Sequence, residues 1–111
     1  IFEPEKLDLW LEELYKRNIL DKVYILAGVS PIKSLKMAQH LQNCVPGVFV
    51  PETVIKRFEN CKPEDYGKLG FDIAMEIING IKGKQGLNGL HLMSVGWEAI
   101  VPAIVQNTLE T

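Results

Sequence analysis

The chain has 111 residues, 47% of them hydrophobic and 23% charged, and its formal net charge is −2. This composition is ordinary for one globular domain, and the sequence has neither a dense basic cluster nor an apolar run of about 18 residues, which excludes nucleic-acid-binding and membrane-spanning classes. Cys44 and Cys61 lie far apart and match no metal-binding pattern. Each is therefore predicted to be a buried thiol in a reduced, cytoplasmic protein without a metal site.

The first half of the chain alternates helix and strand. Apolar residues at helical spacing predict a helix over about 4–18, with Asn18 as a candidate cap. The apolar run that follows predicts a strand at 23–28, with no polar face, that ends abruptly in small residues. Ser30-Pro31 then begins a second helix at about 33–43.

The second half is mainly helical until a second strand. Pro46 and Pro51 disfavour helix before them, so this segment is predicted to be extended, with a short strand at 48–50 as an option. The elements predicted after it are, in chain order, a short helix at 52–60, a long helix from Lys62–Asp65 to Ile81, a strand at 90–95, and a last helix at 96–110 with Pro102 in or near its first turn.

The two predicted strands echo each other, because each is short, largely apolar, closed by small residues and followed directly by a helix. This pattern is typical of βα units in a parallel sheet that is covered on both faces. Ligands of such sheets bind at the carboxyl ends of the strands, where small side chains allow close approach. The small residues at these ends are Gly28, Ser30, Ser94 and Gly96. They either line a ligand site or simply form tight turns.

Strands 23–28 and 90–95 are predicted to lie parallel and adjacent, with the helical insert at 51–83 packed outside them. Two strands alone leave sheet edges unpaired and a core unfilled. The further strands come either from another copy of the chain or from a missing part of the domain. The chain begins without Met and in the middle of a pattern, which favours the second alternative.

Four segments in order carry a family resemblance. They are "AGVSPIKSLKMAQHL", "FVPETVIKRF", "GFDIAMEIINGI" and "GLNGLHLMSVGWEAIVPAIV". Together they resemble the C-terminal portion of methylenetetrahydrofolate reductases, and "IFEPEKL" fits the segment after the sixth strand of that family. The resemblance implies an α/β fold: residues 1–111 form a single segment, the C-terminal part of a (β/α)8 TIM barrel. This segment has two parallel strands with flanking helices and is incomplete on its own.

The resemblance also implies a flavoprotein oxidoreductase. The complete protein would bind FAD at the carboxyl mouth of the barrel and reduce 5,10-methylenetetrahydrofolate to 5-methyltetrahydrofolate, in one-carbon metabolism. The catalytic acidic residues and the substrate-binding Gln of the family lie upstream of this segment. No catalytic residue is therefore assigned here, and the isolated chain is expected to be inactive and to bind FAD weakly or not at all.

One substrate-binding residue and a set of mouth residues follow from the resemblance. Phe2 matches the family's aromatic residue that stacks on folate or nicotinamide, although it is alternatively a core anchor or a frayed terminal residue. The residues expected to line the cofactor and substrate mouth are Gly28, Ser30, Ser94, Val95, Gly96 and Trp97.

The last strand departs from the best-described branch of the family. Gly96-Trp97-Glu98 stands where that branch has Asn-Arg, so an Arg contact to cofactor or substrate is lost. The ending is similar to reductases of anaerobic, acetogen-type bacteria, which often work with electron-transfer subunits. Trp97 either covers the mouth or caps the last helix. His91, on one strand face with Met93, is either a hydrogen-bonded core residue or a proton-transfer group.

Two other functions remain open from the sequence. One is a non-catalytic half-barrel module that assembles through exposed sheet edges with a partner or as a homo-oligomer. The other is a different pterin- or phosphate-binding barrel, which Pro31 disfavours because it removes a backbone donor from the first loop. The expected partners are the folate substrate, the missing N-terminal part of the barrel and either an electron-transfer subunit or further copies, with no nucleic acid and no membrane.

Overall fold

The computed structural model describes residues 2–45, 49–94 and 96–110. Its elements are α1 (Pro4–Lys16), β1 (Leu26–Val29), α2 (Leu35–Cys44), α3 (Glu52–Glu59), α4 (Tyr66–Ile81), β2 (Gly89–Leu92) and α5 (Val101–Glu110). Short 3₁₀ turns at Pro63–Asp65 and Glu98–Ile100 lead into α4 and α5. The predicted order of helices and strands is confirmed. The optional strand at 48–50 is not formed at 49–50, and residue 48 lies outside the described residues.

The two strands are parallel and adjacent, as the echoed pattern predicts. Leu26 is opposite Gly89, and the register continues to Val29 opposite Leu92. Both strands are shorter than predicted. Just before β1, a side chain accepts the backbone hydrogen bond: the N–H of Ile25 donates to Asn88 Oδ1 at 2.7 Å.

The core lies on one side of this sheet. Ala27 and Val29 of β1 are buried there, and Leu90 and Leu92 of β2 pack against the same cluster. The buried side of α4 lies against β1, and α4 also contacts α1 and α5. The buried residues of α4 are Gly70, Ile73, Ala74, Ile77, Ile78 and Ile81. The apolar stripe predicted for the long helix therefore forms the centre of the core.

The helix ends follow local capping rules. After α1, Asn18 adopts a φ of 58°, its N–H donates to Tyr15 O at 3.0 Å, and the N–H of Ile19 donates to Leu14 O at 3.1 Å. These two bonds form a Schellman motif, which confirms Asn18 as part of the helix end. Before α2, Ser34 Oγ accepts a hydrogen bond at 3.1 Å from a backbone N–H of the first turn.

The opposite face of the sheet is open, which corrects the prediction that both faces are covered. Tyr24 is 87% exposed, Leu26 60% and Met93 42%. These are large apolar side chains at a position where parallel sheets are normally covered. The prediction fails because no element in the described part of the chain packs over this face. None of the described helices is both long and apolar enough to cross a membrane.

The prediction of two buried thiols is also wrong. Cys44 is exposed and Cys61 is half-buried, and both are free. Cys44 is the last residue of α2, and Cys61 lies just beyond the end of α3. Both positions lie at helix ends near solvent, where a cysteine has few neighbours to bury it.

Candidate functional site at the strand ends

The parallel pairing brings the loops after β1 and β2 to the same end of the sheet. Met93 N–H donates to Val29 O at 3.0 Å, which extends the ladder one step beyond β2 and aligns the starts of both loops. Ser30 and Ser94, the serines of the two loops, are both half-buried. Five of the six mouth residues expected from the sequence thus belong to one end of the sheet. The sixth, Val95, lies outside the described residues.

Gly28 leaves room for a neighbouring side chain on the open face of the sheet. A Cβ at Gly28 would lie 3.1 Å from Met93 Cε, and a Cβ at Gly89 would lie 3.0 Å from Leu26 Cδ2. The Met93 side chain therefore packs over Gly28 of β1, and the Leu26 side chain packs over Gly89 of β2. The site role expected for Gly28 remains a prediction, and a ligand at this position would have to displace the Met93 side chain.

The second loop is held at Gly96 by two charged side chains. Gly96 has a φ of +73°, a conformation that favours glycine, and no described atom beyond its chain neighbours lies within 4 Å of the position of a Cβ. Its N–H donates to Glu98 Oε1 at 3.3 Å, and its carbonyl accepts a hydrogen bond from Lys33 Nζ at 3.1 Å. Lys33 belongs to the loop after β1, so this bond joins the two strand-end loops directly.

Lys33 and Glu98 were not predicted as site residues. A signal for Lys33 exists in the sequence: it is the first cation after the strand-ending Ser30-Pro31 turn. Loops at the carboxyl ends of parallel strands are where functional side chains concentrate. The bond to a backbone carbonyl 63 residues away has no sequence signature, because any residue type would present the same acceptor.

Trp97 anchors the second loop to α4. Its backbone N–H donates to Ser94 O at 3.0 Å, and its side chain is half-buried. Ring atom Cζ3 lies 3.2 Å from the position that a Cβ on Gly70 would take, and that Cβ would also overlap the carbonyl oxygen of Ile32. Ile32 is in the first loop. Gly70 therefore lets both loops approach α4. The two roles weighed for Trp97, covering the mouth or capping the last helix, both stay predictions.

His91 lies on the open face of the sheet. It alternates with the inward-facing Leu90 and Leu92, as the strand pattern predicts, but it is exposed. The hydrogen-bonded core histidine expected as the simpler alternative is therefore wrong in this structure. The open face leaves His91 without core neighbours, and its proton-transfer role stays a prediction.

Phe2 lines a groove beside α3 and α4. It is half-buried and packs against the core beside Thr53, Ile73 and Ile77 of α3 and α4. None of the described strand-end residues lines that groove. The structure thus does not bring Phe2 together with the mouth residues, and its substrate role remains a prediction.

A bidentate ion pair closes the rim of the same groove. Arg57 Nη1 and Nη2 donate to the two carboxylate oxygens of Glu76 at 2.9 and 2.8 Å. The hydrogen bond from Arg57 holds the pKa of Glu76 below its usual value, and the Glu76 carboxylate raises the pKa of Arg57. The pair joins α3 to α4, and none of its hydrogen bonds goes to a described strand-end residue. Within the described ranges, no group of three or more His, Cys, Asp and Glu side chains could hold a metal ion.

Comparison with known proteins shows the family of this chain. No curated protein and no solved structure gives a significant match. A family model matches residues 1–109, nearly the whole chain, and its description is methylenetetrahydrofolate reductase. The match spans both βα units and both strand-end loops, and it confirms the resemblance drawn from the four sequence segments. The chain belongs to the methylenetetrahydrofolate reductase family, a family of oxidoreductases.

Proposed function

We propose that this chain supplies the last two strands, with their helices, of a (β/α)8 barrel that reduces 5,10-methylenetetrahydrofolate to 5-methyltetrahydrofolate with FAD. The observation that carries the proposal is the family match over residues 1–109. The order and parallel pairing of the two βα units agree with it. A cytoplasmic location is part of the proposal, supported by the two free thiols.

The distribution of exposed apolar side chains supports the barrel. Most of those described lie on the open sheet face or on the two helices at the ends of the segment, while Phe49 lies outside both. On α1 these residues are Leu9 and Trp10, and on α5 they are Val105 and Leu109. An arc cut from a closed ring of strands and helices would expose apolar surface at these three places, because neighbours normally cover them.

The strand-end loops fit one side of a cofactor site. Gly96 presents open space where a side chain would stand, and Ser30 and Ser94 are small. When bound, FAD supplies the hydride-transfer chemistry. The residues of this chain would bound part of the mouth and keep its loops in place. They include no acidic pair for proton transfer, so the isolated chain is expected to have no reductase activity and little or no bound flavin.

Phe2 is proposed as the folate-stacking residue of the complete barrel. The proposal is supported by its match to the family's aromatic residue, whereas its packing here is that of a core anchor. In the active chimera described below, Phe2→Ala is expected to lower kcat/KM for the folate by roughly 5- to 150-fold, because stacking and burial of a ring contribute about 1–3 kcal/mol. Unchanged folate kinetics with a lower melting temperature would assign Phe2 to packing alone.

A chimera tests the proposed function. The last two βα units of a full-length family member would be replaced by this chain, and flavin absorbance and folate reduction would be measured. We expect a folded chimera with bound flavin and measurable activity, whereas the parent truncated before these units should have neither. A folded chimera that binds flavin like the parent but shows no folate reduction would contradict the proposed function.

The sheet edges favour one alternative, a non-catalytic module that assembles through them. Among the described residues the sheet has only two strands, so each has a single neighbouring strand. Such edges pair readily with other strands. Sedimentation of the isolated chain distinguishes the two: a stable homo-oligomer of defined size that leaves no room for a barrel partner would favour the module. An electron-transfer subunit as a further partner is proposed only from the resemblance of the Gly96-Trp97-Glu98 ending.

A further inference from the structure

The two strand-end loops form one connected unit around α4. The first loop rests on Gly70 through the backbone of Ile32, and the second rests on the same glycine through the ring of Trp97. The bond from Lys33 Nζ to Gly96 O joins the loops on their outer side. The loops are thus held at their base by packing and at their outer side by a single hydrogen bond.

We propose that Lys33 is a positioning residue that sets the geometry of the Gly96 loop at the substrate mouth. The inference rests on the proposed function, because it assigns Lys33 to the same site. Lys33 does not need to touch the substrate. It fixes the direction of the Gly96 carbonyl and, through the peptide, the start of the turn at Trp97.

The location of the bond separates this role from a role in folding. Lys33 and Gly96 are both exposed, so the bond lies on the surface of the mouth and not in the core. Exposed charged side chains contribute little to global stability. Gly96 has no side chain and stands at a φ of +73°, so the loop has few other restraints at this residue. Glu98 holds its N–H, and Lys33 is the one described side chain that holds its carbonyl.

The first arm of the test uses the chain as it is. Lys33→Met keeps the length of the side chain and removes the ammonium group, Lys33→Arg keeps a donor, and Lys36→Met is a matched control on the exposed side of α2. Amide hydrogen exchange of Trp97 reports on the loop, since this N–H is bonded to Ser94 O. Lys33→Met should speed its exchange roughly 3- to 10-fold, while Lys33→Arg and Lys36→Met should not. An unchanged rate in Lys33→Met would overturn the proposal.

The second arm uses the same three variants in the chimera. Lys33→Met is expected to raise KM for the folate about 3- to 10-fold with kcat unchanged, because misplacing a mouth loop weakens binding before chemistry. Lys33→Arg should restore KM, and the melting temperature should be the same in all variants. An unchanged KM together with faster exchange would mean that Lys33 restrains the loop without affecting substrate binding, and would overturn its positioning role. An inactive parent chimera would instead overturn the proposed function and the role of Lys33 that rests on it. In that case the exchange rates would still test whether the Lys33 hydrogen bond restrains the loop.

Discussion

Gly70→Ala tests the close approach on which the strand-end loops depend. Gly70 is buried in the first half of α4, where the carbonyl of Ile32 and the ring of Trp97 both reach the helix. A Cβ at this position would overlap the Ile32 oxygen and lie 3.2 Å from Trp97 Cζ3. The Ile32 oxygen belongs to the backbone, so the clash cannot be relieved by turning a side chain. The first loop or the helix must move.

The expected change in the free energy of unfolding is the sum of two opposing effects. In a helix interior, replacing Gly by Ala normally stabilises by about 1 kcal/mol, because Ala restricts the unfolded chain. Overpacking a buried site costs about 1–3 kcal/mol, and a backbone clash belongs to the upper part of that range. We therefore expect Gly70→Ala to lower the free energy of unfolding by about 1–2 kcal/mol. For a domain of this size, that is a fall in melting temperature of roughly 4–15 °C.

The assay is urea and thermal unfolding followed by far-ultraviolet circular dichroism. Gly67→Ala is the matched control, since Gly67 lies one turn earlier in α4 and is exposed, and a Cβ there would meet no described atom within 4 Å outside its own stretch of helix. Gly67→Ala should leave stability equal or slightly higher. If both variants stabilise the chain by similar amounts, the close contact of Ile32 with α4 does not exist, and the account of the loops as a unit resting on Gly70 is wrong.

Three further perturbations probe the supports of the fold. Glu76→Gln should lower stability by about 0.2–1 kcal/mol at neutral pH, since the pair with Arg57 is exposed. Because the pKa of Glu76 lies below its usual 4.5 in the folded state, this difference should be full above pH 4.5 and should vanish as the pH falls through the lowered pKa, in pH-dependent urea titrations. Asn88→Ala should cost about 1 kcal/mol by leaving the N–H of Ile25 without its acceptor, and an unchanged urea midpoint would argue against that bond. Ser34→Ala should cost about 1 kcal/mol and speed amide exchange in the first turn of α2, whereas unchanged exchange there would remove Ser34 as the cap.

Much of the fold is predictable from local patterns. The helical spacing in α1 and α4, the Pro residues at helix starts and the small residues after each strand all indicate the elements that the structure contains. The strand limits are not predictable in this way. Val23 and Tyr24 have the composition of a strand but lie exposed before β1, whose pairing begins at Leu26 opposite Gly89.

The candidate site is predictable only in outline. Parallel pairing follows from the βα pattern, and it places the small residues after both strands at one end of the sheet, as predicted. The bond between Lys33 and Gly96 and the contact of Trp97 with Gly70 depend on long-range packing, which no local pattern encodes. The prediction that both sheet faces are buried fails for a related reason. An apolar strand sequence indicates that both faces of the strand favour burial. It does not indicate which residues cover each face.

The parallel register of β1 and β2 has a consequence for the order of events during synthesis. The two residues that meet at its edge, Ile25 and Asn88, are 63 positions apart. When β1 leaves the ribosome, its partner strand has not yet been made, and three helices must be added before pairing can begin. Contacts at such separation are slow to form, and unpaired strand edges are prone to aggregation. The helices α2, α3 and α4 can form first and bury Val29 against α4. These helices would then cover the core face of β1 until β2 has been synthesised.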